Sequence, residues 1–152
     1  MNIYFSGSIS GGRDDVGLYQ RIVAFLEHEG HDVISGEVAN PGIQHEGESL
    51  DPNAIFERDL GWIRNVSQAG GLLVAEVSRP SLGVGYEIAA ARYQFAMPAI
   101  CLWRPAHTRR CSAMISGDTQ IRLIEYNDHS EEWMLEQLAE AIDATPRADH
   151  RN

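Results

Sequence analysis

Asp59 keeps unusual company for an aspartate. Ile55, Trp62, Ile63 and Val66 form an apolar stripe at helical spacing, and Asp59 falls at i+4 from Ile55 and i−3 from Trp62. On that inward face a bare carboxylate is costly to bury, so it needs a partner, a ligand or a cleft. A boundary position with a structural hydrogen bond would also satisfy it. Glu87 closes the stretch SLGVGYE, early in a predicted helix whose positive N-terminus favours the ionised form. An ionised carboxylate beside a sugar can attack the anomeric carbon or stabilise an oxocarbenium-like centre, while a second group binds or assists the sugar. Alone, Glu87 would be no more than a good helix-start residue. Glu76, at the end of a predicted strand, competes for the role unless its side chain points to the opposite side. Tyr4, on the first predicted strand, is either a hydrogen-bond donor to Glu87 or the sugar, or a core tyrosine. The six histidines show no metal-ligand spacing, and no Ser-His-Asp arrangement is present. His45 lies in a loop, open to a base or simply to solvent.

Two Gly/Ser-rich turns complete the set. The first is Gly7-Ser8-Ile9-Ser10-Gly11-Gly12-Arg13, and the second carries Ser81, Gly83 and Gly85. Neither is a GxGxxG or a Walker A pattern, so a dinucleotide or a nucleoside triphosphate is not expected. Glycine permits close backbone approach, and the following helix offers a positive end. Two such turns facing each other suit one monophosphate. Strand-to-helix turns use Gly and Ser in any case, and Arg13 has a surface role with Asp14 or Asp15 as its plain alternative.

The elements must bring these distant segments together. Asn2 to Phe5 reads as a strand. A helix capped by Asp14 or Asp15 follows, with Leu18, Ile22, Phe25 and Leu26 inward, and Gly30 ends it. His31 to Ser35 is a weak strand, and residues 36–51 are a long polar loop. Asp51-Pro52 starts a second helix that runs to about Ala69. Gly71 to Val77 reads as a strand buried on both faces. Ser81 caps a helix through Phe95. Ala99 to Trp103 and Ile121 to Tyr126 are further strands, and a last helix from Glu131 to Ile142 turns Trp133, Leu135, Leu138 and Ile142 inward. This alternation predicts a single α/β domain over 1–144: a doubly wound, flavodoxin- or Rossmann-like parallel sheet of five strands, order 2-1-3-4-5, with helices on both faces. Residues 145–152 read as a flexible tail. That strand order puts a switch point between strands 1 and 3, where ligands bind. Both Gly/Ser turns follow those two strands.

Composition narrows the class. The chain has 152 residues, 43% hydrophobic and 22% charged, and fits one core. A net charge of −10 argues against a nucleic-acid polymer as partner but not against a small anion. No apolar run approaches a membrane span, and MNIYFSGSIS reads as a strand rather than a signal peptide. Cys101 and Cys111 form neither a disulfide framework nor a zinc pattern, so the cytoplasm is the expected compartment, with the nucleus open to a eukaryotic chain.

The stretches YFSGSISGGR, LYQRIVAFLEHEGH, ERDLGWI, VAEVSRPSLGVGYE, ICLWRP and SAMISG, taken together and in order, resemble the 2'-deoxynucleoside 5'-phosphate N-hydrolases, smaller relatives of the nucleoside 2-deoxyribosyltransferases. The resemblance runs from about Ile3 to Tyr126, and SLGVGYE is its most diagnostic part. It implies that Glu87 is the nucleophile. Asp59 would contact the deoxyribose and be available for proton transfer, with Tyr4 beside them. Gly7, Ser8, Ser81 and Gly83 would bind phosphate, joined by Ser112 from the neighbouring subunit. Ile9, Ser10 and Met114 would line the base pocket. It further implies a homodimer with shared active sites, no metal or organic cofactor, and release of a free base and 2-deoxyribose 5-phosphate. One departure stands out: Ser10 replaces the arginine of the animal enzymes, and Arg13, Arg109 or Arg110 would have to compensate. Deoxyribosyl transfer to another base, hydrolysis of a ribonucleotide such as CMP, and a non-enzymatic monophosphate sensor remain as alternatives.

Overall fold

A computed structural model of the protein describes residues 1–9, 14–42, 50–105, 110–127 and 130–146. Five strands, β1 (Asn2–Gly7), β2 (Asp32–Ile34), β3 (Leu72–Glu76), β4 (Ala99–Trp103) and β5 (Ile121–Glu125), form one sheet in the order β2-β1-β3-β4-β5. Every pairing is parallel. The expected doubly wound topology is the one found. It sets Tyr4 beside Leu73 and Ser6 beside Ala75 across the β1–β3 pair.

Strand alternation sorts the side chains into two cores. Ile3, Phe5, Leu72 and Val74 pack with α1 (Val16–His28) and α5 (Glu131–Asp143). Tyr4, Leu73 and Ala75 pack with α2 (Pro52–Gln68) and α3 (Leu82–Ala89). All five residues of β3 are buried, because helices cover both faces of a central parallel strand. A short helix, α4 (Ala113–Ser116), precedes β5.

Several boundaries differ from the sequence reading. β1 runs on to Gly7, where a Cβ would stand 3.0 Å from Val38 and 3.1 Å from Tyr19. That glycine is therefore required by packing as well as by any ligand. Asp15 precedes α1 but gives it no side-chain cap; its carboxylate turns instead to two arginines. Asp51 does cap α2, accepting from the N–H groups of Asn53 and Ala54, with Pro52 opening the helix. Such a cap contributes about 1 kcal/mol. The helix expected through Phe95 is two pieces: α3 gives way to a π-helical turn, Ala90–Gln94. There the Phe95 N–H reaches back to the Ala90 carbonyl at 3.1 Å, and Ala96 adopts a left-handed φ of 52°. The widened turn leads to Met97, buried under α3. On α5, Met134 takes the inward place expected for Trp133, which is exposed. In α1, Tyr19 is fully buried and Phe25 only partly. Thr145 donates its hydroxyl to the Ala141 carbonyl, while residues 147–152 of the predicted tail lie outside the described residues.

Candidate active site

A cavity of about 540 Å³ opens at the carboxyl ends of β1 and β3. Four segments wall it. β1 and its exit give Tyr4, Gly7 and Ile9, and the turn after β2 gives Ser35 to Val38. The inward face of α2 gives Ile55, Arg58, Asp59 and Trp62. The second Gly/Ser turn and α3 give Pro80 to Val84 and then Glu87. The switch point between β1 and β3 thus holds a cleft, as open α/β sheets require.

Glu87 lies in the second turn of α3, which has no acidic residue in its first turn. Its carboxylate is gripped at both oxygens. The Tyr4 hydroxyl donates to Oε1 at 2.9 Å, and the Ser6 hydroxyl donates to Oε2. Burial pushes the Glu87 carboxyl above its ordinary range, and the nearby Asp59 charge adds to the effect; the Ser6 and Tyr4 hydrogen bonds and the Arg58 charge pull it back. Burial therefore outweighs the helix-end effect expected from sequence. The same burial, with Glu87 beside it, raises the Tyr4 phenol well above its normal value. That hydroxyl is a donor, not a phenolate.

Asp59 reaches the cavity from α2, where Arg58 Nε donates to its Oδ1 at 2.9 Å. The Arg58 guanidinium also lies 4.6 Å from the centre of the Trp62 ring, a cation–π distance. Trp62 is in turn pressed by Gly36, where a Cβ would come within 3.0 Å of the indole and φ is +49°. The cavity wall opposite Glu87 is thus an ordered stack of loop, indole and guanidinium. Arg58 and Ser6 were not singled out from sequence. Ser6 had a usable signal, since it stands two residues from Tyr4 on a strand and must share its face. Arg58 had none, because neighbours in a helix do not ordinarily face each other.

Glu76 does not compete with Glu87. It is fully buried on the α1/α5 side of the sheet, where it accepts hydrogen bonds from the Ser78 hydroxyl and from Tyr126 at 2.9 Å. Burial raises its carboxyl also. A neighbouring cluster ties the two Gly/Ser turns together. Asp15 accepts from Arg79 Nε at 2.8 Å and from the Arg104 guanidinium, while Arg79 Nη2 reaches Asp14 at 2.5 Å.

Gly7, Ile9, Ser81 and Gly83 line the cavity with the carboxylates; Ser8 is fully buried and outside the lining. The Ser81 hydroxyl caps α3 by accepting from Val84 N at 3.4 Å. A Cβ on Gly83 would meet nothing closer than the Ser81 hydroxyl at 3.8 Å, so that glycine keeps the cavity open rather than filling a packing need. Ser112 and Met114 stand elsewhere. They line a second cavity of about 670 Å³ that shares Pro80, Ser81, Leu82 and Val84 with the first. Arg110 lines that second cavity too. Ser10, Arg13, His45 and Arg109 lie outside the described residues. Among the described residues no group of three His, Cys, Asp or Glu side chains is placed to hold a metal ion, and no helix is long and apolar enough to cross a membrane.

Comparison with known proteins gives no matching family model. Individual relatives are clear. A mouse protein named 5-hydroxymethyl-dUMP N-hydrolase is 40% identical over 145 residues, covering 92% of this chain and 80% of its own length. The zebrafish (Danio rerio) protein of the same name is 40% identical over 146 residues, covering 93% and 98%. A protein of Syntrophotalea carbinolica, provisionally named 2'-deoxynucleoside 5'-phosphate N-hydrolase 1, is 41% identical and covers 92% and 96%. Among solved structures, the CMP N-glycosidase of Clostridium botulinum superposes with a TM-score of 0.61 at 15% identity, covering 93% of this chain and 99% of its own. At that identity the likeness is one of fold.

Proposed function

The chain belongs to the 2'-deoxynucleoside 5'-phosphate N-hydrolase family, and from that premise we propose that it cleaves 2'-deoxynucleoside 5'-monophosphates through Glu87 as nucleophile. It is an enzyme of the glycosidase type, hydrolysing the N-glycosidic bond of nucleotide monophosphates. The observation that carries the finer reading is the grip on Glu87: both carboxylate oxygens are oriented by buried hydroxyls, in a cavity shared with Asp59. A carboxylate used only to cap or solubilise a helix needs no such cradle.

In the first step a Glu87 oxygen bonds to C1' as the C1'–N bond breaks and its electron pair leaves with the base. The departing base takes a proton from Asp59, which shares the cavity with Glu87. Water then adds to C1', giving its proton back to Asp59, the C1'–O bond returns its pair to Glu87, and 2-deoxyribose 5-phosphate departs with a free base already released. In this scheme the turns carrying Gly7, Ser81 and Gly83 hold the phosphate, and the base lies against Ile9, all four lining the Glu87 cavity. No cofactor enters the scheme.

Glu87→Ala is expected to abolish base release while circular dichroism and melting remain those of a folded protein. Turnover within twofold of the unsubstituted enzyme would overturn the assignment. The substrate range is set by chromatography of bases released from dAMP, dGMP, dCMP, dTMP, 5-hydroxymethyl-dUMP, AMP and CMP. Adding a second free base tests for transfer.

Two copies complete the site in this reading. Leu82, Tyr93 and Met114 are 97%, 78% and 85% exposed around the second cavity, a cluster of large apolar side chains that a second copy would cover. Ser112 and Met114 of one protomer then reach the phosphate and base in the other, which accounts for their lining a different cavity from Glu87 within a single chain.

A further inference from the structure

Of the two hydroxyls that donate to Glu87 among the described residues, Tyr4 has a task in the family pattern and Ser6 has none. We propose that Ser6 is a positioning residue for the reaction: with Tyr4 it clamps the Glu87 carboxylate in one orientation for attack. The inference rests on Glu87 being the nucleophile.

The geometry is specific. Tyr4 and Ser6 are two apart on β1, so both side chains rise from the same face of the sheet. They start roughly 7 Å apart along the strand. A long side chain and a short one can therefore close on a carboxylate lowered between them from α3. Tyr4 takes Oε1 and Ser6 takes Oε2. Ser6 is fully buried, and its neighbour across β1–β3 is Ala75, which offers no competing polar group. A buried hydroxyl needs a hydrogen-bond partner, and Ser6 finds it in the Glu87 carboxylate.

The charged and titratable groups around Glu87 explain why a second donor matters. Asp59 from α2 opposes its ionisation, as does burial; Arg58 from α2 and Tyr4 from β1 favour it. Ser6 is the foremost of the favouring contacts. Hydrogen bonds to the charged form of a carboxylate hold that form at lower pH.

The test uses Ser6→Ala and Ser6→Cys in the full chain, with the best substrate of the panel above. Glu87 must be ionised to attack, so kcat/KM falls on the acid side as Glu87 takes a proton. For Ser6→Ala that acid limb is expected to move up by about one pH unit, with kcat at neutral pH down about tenfold and KM within about twofold. Ser6→Cys, whose thiol is a weak donor, is expected between the two. Melting temperature is read in parallel. An acid limb that stays in place, with kcat loss matched by loss of folded protein, would reduce Ser6 to a space-filling residue and overturn the proposal. Failure of the premise looks different: Glu87→Ala would then retain turnover, whatever Ser6 does.

Discussion

At Glu87 the fold works against the charge that the proposed attack requires. Burial and the Asp59 charge both favour the protonated form, and two hydroxyls and one guanidinium only partly offset them. The sign of the consequence for stability can be worked out. A carboxyl whose folded pKa is raised binds its proton more tightly in the native state, so stability falls as pH rises from the unfolded value through the folded one. At neutral pH the native state therefore carries Glu87 at a cost. Glu87→Gln keeps the shape and removes the charge. It is expected to raise the melting temperature by a few degrees at pH 8 while abolishing base release, and to give a smaller gain at pH 4. A lower melting temperature at pH 8 would show that the hydroxyl clamp outweighs burial. Glu76, buried on the other face and also raised, follows the same sign but does not line the Glu87 cavity.

Between elements, the most telling contact is the ion cluster behind the two turns. Asp15 precedes α1, Arg79 follows β3 and Arg104 follows β4, so a single carboxylate links three strand-to-helix connections. Burial would raise the Asp15 carboxyl, but hydrogen bonds from Arg79 and Arg104 outweigh it and hold the carboxyl below its ordinary value. Its stabilising effect is present above the unfolded carboxyl range and is lost as pH falls through the folded pKa. Asp15→Asn leaves two guanidinium groups against a neutral amide and is expected to destabilise the fold by about 3 kcal/mol. Urea melts at pH 7 check the magnitude, and at pH 2 to 3 the difference should narrow. Arg79 sits directly before Pro80 and Ser81 in the cavity wall, so the variant should also raise KM for the monophosphate more than it lowers kcat. The π-helical turn after α3 is a second departure from regularity at this level; besides leading to buried Met97 it carries Arg92, which reaches Gln120 and Asp118, and Tyr93, which donates to Asp118 at 3.1 Å.

Across the whole molecule, the two cavities share a wall of Pro80, Ser81, Leu82 and Val84. One holds Glu87 and Asp59, the other Ser112 and Met114. The proposed two-fold dimer with shared sites makes a definite prediction about mixtures. Glu87→Ala and Ser112→Trp are each expected to be inactive as pure dimers. After dissociation and random re-association, half the dimers are mixed, and each mixed dimer holds one intact site, so about a quarter of the original activity should return. No recovery, with subunit exchange verified by mass, would place Ser112 outside the partner's site.

The topology was legible in the sequence because each element carries its own periodic signal. Buried β3 reads as an apolar run interrupted only by Glu76, Asp51-Pro52 marks the start of α2, and the alternation of types fixes a parallel sheet with its switch point between β1 and β3. Local spacing also put Asp59 on the inward face of α2. What spacing along a chain does not encode is distance between elements. That Ser6 meets Glu87, that Glu76 faces away, that Asp15 forsakes its helix for two arginines, and that Ser112 stands beside a different cavity were decided only when five strands closed into a sheet. Side-chain pairing across tens of residues depends on which faces the packed helices cover, and burial sets the charge of a group only once that packing exists.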